Sequence, residues 1–277
     1  MGQRYLIEGA QFTDPKYPKL YDDARLTDGS LMLIDFTHSM TGISGVPAAG
    51  TVIPNIAVEP AKKLVGGGDK NSLGCVFKNT FDVTNGKLER TSKGALHGIV
   101  SASNRNQKTA GFEFNSTTTP LLFNFIKNHL NDEYAVFLWT NVTRITPATG
   151  NINDSLAFVN GASGASNNML GIAVQNTVGS KRNAARAQTG FSGSLNANDA
   201  LNSGFPFYWG QTPPYQSLNP TNGKSMALYG YHLIHVPSSG MTFAELDARD
   251  AELYAKFFGE GGRFYGDTWS DPATVLP

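Results

Sequence analysis

The 277-residue chain holds one cysteine, Cys75. A lone thiol excludes an intrachain disulfide framework and any cysteine cluster for zinc. It sits in the apolar run Leu73-Gly74-Cys75-Val76-Phe77, where a thiol packs as a small hydrophobe rather than serving as a nucleophile. Charge is scarce as well: Asp, Glu, Lys and Arg make up 16% of the residues, against roughly 25% in an average globular protein. Basic and acidic side chains number 22 each, so the formal net charge is zero. No global field points to nucleic acid, an anionic membrane or a strongly charged substrate. Weak colloidal repulsion suits a chain held in an assembly. Nowhere do about 18 uncharged apolar residues stand together. The opening Met1-Gly2-Gln3-Arg4-Tyr5-Leu6 begins no apolar run of signal-peptide length. The expectation is synthesis in a cytoplasm without membrane insertion.

Fingerprints of chemistry are sparse too. The histidines are His38, His97, His129, His232 and His235. Gly42-Ile43-Ser44-Gly45 lacks the spacing of a nucleophile elbow. His232 and His235 are three apart on an expected strand, so they face opposite sides and do not share a metal by local geometry. Gly66-Gly67-Gly68-Asp69-Lys70-Asn71-Ser72 lacks phosphate-loop spacing and precedes a strand pattern, not a helix. Asp69 and Asn71 offer two oxygen donors, short of the six to eight of a calcium site. No metal and no cofactor are expected. The sequons at Asn115, Asn141 and Asn153 carry no meaning without a secretory signal, and Lys181, Arg182 and Arg186 read as a solvated basic loop.

What the chain has is turn chemistry. Glycine reaches 30 residues, and Gly with Asn supplies the positive-φ positions that turns require. Between turn signals lie short β-prone runs at 31–36, 51–58, 74–79, 96–102, 110–114, 134–142, 156–159, 170–174, 205–209 and 225–236. The run at 134–142 is too apolar for an exposed edge and belongs mid-sheet. Two helices are expected. Pro120 suits a first helical position behind Thr119, giving a helix near 120–131. Thr242-Phe243-Ala244-Glu245 is a capping box opening a helix over 243–258, with Leu246, Leu253 and Phe257 on one stripe and Gly259 as its stop. Residues 1–30 read as an extended arm carrying Tyr5, Tyr17 and Tyr21. Residues 31–259 read as one β-sandwich, and 260–277 as an aromatic docking tail with Phe264, Tyr265 and Trp269.

The run 225–236, the capped helix and Gly262-Arg263-Phe264-Tyr265-Gly266-Asp267-Thr268 together resemble the C-terminal part of bacteriophage virion proteins built on the concanavalin A-like, or laminin-G-like, jelly roll. Asp28-Gly29-Ser30-Leu31-Met32-Leu33-Ile34-Asp35-Phe36-Thr37-His38-Ser39, with Ile53-Pro54-Asn55 downstream, looks like the start of the same proteins. The resemblance implies an all-β chain, a two-sheet antiparallel jelly-roll sandwich with two short helices and extended terminal arms. It also implies a place in the virion, as a tail, baseplate or head-decoration protein among other virion proteins and further copies of itself. Hydrolytic members of the wider fold alternate acidic residues along one strand so that two carboxylates meet in the cleft. No expected strand here has an acid-x-acid-x-acid pattern.

The reading is therefore a non-enzymatic structural component. The alternatives are a glycan-binding receptor-recognition protein contacting a host-surface glycan and, behind it, a glycan hydrolase. A ligand or an interface is expected at Tyr208, Trp209 and Tyr215, in the aromatic and proline-stiffened stretch 205–216, because rigid aromatics give large contact area at low entropy cost. The competing role for Phe205, Phe207 and Trp209 is core packing of an ordinary strand.

Overall fold

The computed structural model describes residues 23–103, 108–146, 154–160, 168–191, 201–210 and 223–276. In chain order the strands are β1 (Ser30–Ile34), β2 (Val52–Ile53), β3 (Cys75–Asn79), β4 (Gly86–Arg90), β5 (Leu96–Val100), β6 (Ala110–Asn115), β7 (Tyr134–Arg144), β8 (Ser155–Asn160), β9 (Asn168–Ile172), β10 (Gly179–Phe191), β11 (Leu201–Phe205), β12 (Tyr208–Trp209) and β13 (Ser225–His235). The helices are α1 (Val58–Val65), α2 (Pro120–Asn128), α3 (Val236–Ser239), α4 (Phe243–Phe258) and α5 (Pro272–Val275).

Among the described residues the strands form two sheets, and each pairing is antiparallel. One runs β10-β7-β13-β5-β4, with β1 on the same edge of β13 as β5. The other runs β2-β3-β6-β11-β8-β9, with β12 continuing along β6 past β11. Pro206 breaks the run expected at 205–209 into β11 and β12, since proline has no N–H for the ladder. The chain is thus mostly β, a two-sheet sandwich with short helices.

The sheets meet through one core. Leu31, Leu96, Val136, Leu138, Met226, Leu228 and Tyr231 of the first sheet pack with Phe77, Phe112, Phe114 and Trp209 of the second. Trp209 marks how close the sheets come. A Cβ on Gly98 would lie 2.3 Å from the Trp209 ring, and the indole N–H donates to the Met226 carbonyl at 2.7 Å.

A third layer explains why β7 lacks the polar alternation of a one-sided strand. Tyr134, Val136 and Leu138 face the sandwich, whereas Ala135, Phe137 and Trp139 face Leu246, Leu253 and Phe257 on α4. Along β13 the alternation changes phase. Ala227 and Tyr229 face the helix layer, a bulge falls between Leu228 and Gly230, and Tyr231 and Leu233 then face the sandwich.

Several expectations are corrected. The run at 51–58 is a strand only over Val52–Ile53, because Pro54 ends it and α1 follows, with Glu59 and Pro60 in its first turn. The basic residues at 181–186 lie in β10, paired with β7 from Gly179 to Ala187, not in a solvated loop. β3 and β4, consecutive in the chain, lie in different sheets, and Gly86 at the start of β4 is needed because a Cβ there would meet the Phe81 ring at 2.3 Å. Thr119 precedes α2 but does not cap it; its hydroxyl donates to the Gly74 carbonyl at 3.2 Å. In α4 the capping box forms as expected, and Arg249 donates to the carbonyls of Ala24 and Leu26.

Candidate functional site

Two segments more than 200 residues apart, around Asp35 and around Arg263, meet on the helix side of the six-stranded sheet. Arg25 is the centre of the meeting. Its guanidinium donates to Asp23 at 2.8 and 2.7 Å and to Asp35 at 2.5 Å. It stands over the Trp139 and Phe257 rings at 5.2 and 5.7 Å. Arg263, from the segment after α4, approaches Asp35 at 3.3 Å and Asp23 at 3.7 Å. Two guanidinium groups thus balance two carboxylates. Burial alone would raise the Asp23 pKa, but the hydrogen bonds and charge of Arg25, with Arg263 behind it, hold it well below the ordinary range.

His232 adjoins this knot. Its Nε2 is 2.8 Å from the Ser30 hydroxyl, and burial, reinforced by the positive charge of Arg25, lowers its pKa to about 3. Gly230 gives Arg25 its space, since a Cβ there would lie 2.6 Å from Nη1. Trp139 and Arg182 both donate to Asp250 of α4, at 3.1 and 2.7 Å, and Arg182 also pairs with Asp247. The helix layer is therefore fastened at both a charged and a polar point.

The tail beyond α4 is fastened likewise. Phe264 is buried against Tyr229, Phe258 and Phe257, with ring centroids 4.7, 5.2 and 5.7 Å away. Asp267 accepts from the Tyr229 hydroxyl at 2.7 Å, the Ser92 hydroxyl at 2.9 Å and the Lys93 N–H at 2.7 Å. Arg144 donates to the carbonyls of Leu276 and Pro272 at 2.6 and 3.0 Å.

Among the described residues there are two hydroxyl–imidazole–carboxylate chains. His97 has its Nε2 2.8 Å from the Thr143 hydroxyl and its Nδ1 2.9 Å from Glu89. His235 has its Nδ1 2.7 Å from Ser238 and its Nε2 3.0 Å from Asp132. These distances are those of a nucleophile, base and orienting acid. Around His97, however, the Trp269 ring lies 6.0 Å from the imidazole, and Ser270 donates twice to Glu89 at 2.8 Å. That chain staples the tail to the sheet. Burial lowers the pKa of both histidines against the opposing pull of their carboxylates.

The expected site residues are not brought together. Tyr208 and Trp209 are buried at 2% and 0% exposure, so they do not form a surface ligand site; β12 must fill the space between the sheets, and both rings are spent there or against Phe205. Tyr215 lies outside the described residues, as do Tyr5, Tyr17 and Tyr21. Phe264 is core, Trp269 half-buried and Tyr265 51% exposed. The body also begins before residue 31, since Asp23, Arg25, Leu26 and Ser30 are buried. Burial pushes the Cys75 thiol up, as expected of an inert cysteine. No group of three or more His, Cys, Asp or Glu poised for a metal occurs among the described residues, and no helix there is long and apolar enough to cross a membrane.

Sequence reasoning missed the knot. Its one signal is Asp35, a carboxylate closing the apolar run at 31–36, because a charge in such a place requires a partner.

No family model matches the chain, and no curated protein matches it. Among solved structures, the Trypanosoma rangeli sialidase in complex with sialic acid is similar over 80% of this chain and 32% of that one, at 12% identity and a TM-score of 0.36. The same organism's sialidase in complex with 2,3-difluoro-KDN is similar over 76% and 31%, at 11% identity and a TM-score of 0.31. The chain therefore spans about a third of the length of those structures.

Proposed function

We propose that this chain is a non-enzymatic structural component of a bacteriophage particle, a tail, baseplate or head-decoration protein. It would act through contacts with other virion proteins and with further copies of itself. In this reading the sandwich is a concanavalin A-like jelly roll and its location is the virion. The observation that carries the reading is the meeting of the two resembling segments: Asp35 of the first and Arg263 of the second pair on the helix side of the sheet. The residues behind the resemblance are thus those that close the fold, which is how a likeness to a structural family is expected to arise. In this reading residues 1–22 serve as the arm for assembly.

The test is complementation of a phage lacking the gene with a chain starting at Asp23. Loss of particle assembly or integrity supports the role of the arm. Normal particles that incorporate the shortened protein count against it.

A second reading, recognition of a host-surface glycan, draws on Tyr265, which is half exposed. Binding on a glycan array that is lost in Tyr265→Ala would favour it.

A further inference from the structure

Lys224 and Asp154 form an ion pair with both side chains out of water, 2% and 1% exposed, and Nζ 2.6 Å from Oδ2. Lys224 directly precedes β13 in one sheet, and Asp154 directly precedes β8 in the other. Their backbones are held. Asp154 N–H donates to the Ile172 carbonyl at 2.9 Å, and its own carbonyl accepts from Tyr208 N–H at 2.8 Å. Val174 clamps the side chains from one side: its carbonyl accepts from Nζ at 2.5 Å, and its N–H donates to Oδ2 at 2.8 Å. The other carboxylate oxygen, Oδ1, is buried with no partner among the described residues.

A buried ion pair of this kind repays its desolvation only when every remaining lone pair is satisfied. Here one is not. We propose that Lys224 and Asp154 condense to an intramolecular isopeptide bond, a covalent tie between the two sheets.

The groups for the reaction are in place. A proton passes from Nζ to the carboxylate along the 2.6 Å hydrogen bond, leaving a neutral amine and a carboxylic acid. Burial favours that transfer, raising the Asp154 pKa to about 6 against the pull of Lys224. The amine lone pair attacks Cγ, and the electrons of the carbonyl bond shift to Oδ1. Oδ2, which carries the transferred proton and accepts from the Val174 N–H, takes a second proton from nitrogen. The bond from Cγ to Oδ2 then breaks, Oδ2 leaves as water, Oδ1 becomes the amide carbonyl, and the amide nitrogen keeps the third proton. No oxidant, reductant or external reagent enters, and two buried charges disappear. The bond closes a loop across a separation of 70 residues, restricting the unfolded chain as a disulfide would in a protein whose single cysteine forms none.

Mass spectrometry of the purified, denatured full-length chain decides the matter. The expected mass is one water below that of the sequence. Trypsin is expected to leave Lys224 uncut and to yield peptide 145–181 joined to peptide 187–249. Lys224→Arg keeps the charge but does not condense, so that variant should show its full sequence mass and run more slowly on a denaturing gel. A wild-type chain of full sequence mass, cut by trypsin after Lys224, overturns the proposal.

Discussion

Arg25 shows how much one side chain can hold. It joins two buried carboxylates and covers two aromatic rings, and among the described residues removing it leaves Asp23 and Asp35 with Arg263 as their ion-pair partner, at 3.7 and 3.3 Å. Arg25→Met is therefore expected to cost about 3–5 kcal/mol, the usual effect of stranding a buried charge, as measured by urea unfolding. His232 makes a second prediction. Its pKa is lowered on folding from 6.5 to about 3, so the unfolded chain binds a proton that the folded chain refuses. Its contribution is present in full above about pH 6.5 and is lost as pH falls toward the folded value, by about 2 kcal/mol at pH 5. His97 and His235 act in the same direction. Stability measured from pH 7 to 5 should fall, and His232→Gln should flatten the slope; an unchanged slope would mean that His232 is not buried neutral. Asp250, raised by burial despite Arg182 and Trp139, runs the opposite way at lower pH.

At the scale of elements, close approach between sheets is the sharpest constraint. Gly98→Ala drives a methyl into the Trp209 ring, which is itself pinned to Met226. Overpacking of this kind typically costs about 1–3 kcal/mol, and a thermal melt that matched wild type would contradict the sheet spacing described above. Thr242→Ala removes the hydroxyl that caps α4 and accepts from Glu245 N–H, for an expected loss of about 1 kcal/mol. The elements also show what a sequence makes legible. β7 and α4 were readable because a long apolar β-prone run and a capping box are local signals. β10 was not, because Lys181-Arg182-Asn183-Ala184-Ala185-Arg186 has no β-former; its place comes from pairing with β7 and from Arg182 reaching Asp247 and Asp250 across the helix layer. α1 was hidden because Pro54 ends the strand, and Pro60 reads as a breaker until it stands in a first turn. Of the candidate site, Tyr208 and Trp209 were visible as aromatics, but their direction depended on the second sheet. In the charged knot Asp23 and Asp35 stand two and ten residues from Arg25, but Arg263 joins them from more than 200 residues away, which no local pattern encodes.

Over the described residues, the first and last segments close on the six-stranded sheet. The segment from Asp23 to Asp35 and the segment from Arg263 to Leu276 both lie on the six-stranded sheet, the first through Arg25 and Ser30, the second through Phe264, Asp267, Ser270 and the carbonyls held by Arg144. The proposed role assigns the contacts of this sandwich to neighbouring virion proteins. The most direct measurement is quantitative mass spectrometry of phage particles purified from lysate. The account predicts this chain in a fixed copy number per particle, comparable with known structural components; a chain that stays in the soluble lysate and is absent from purified particles would contradict it.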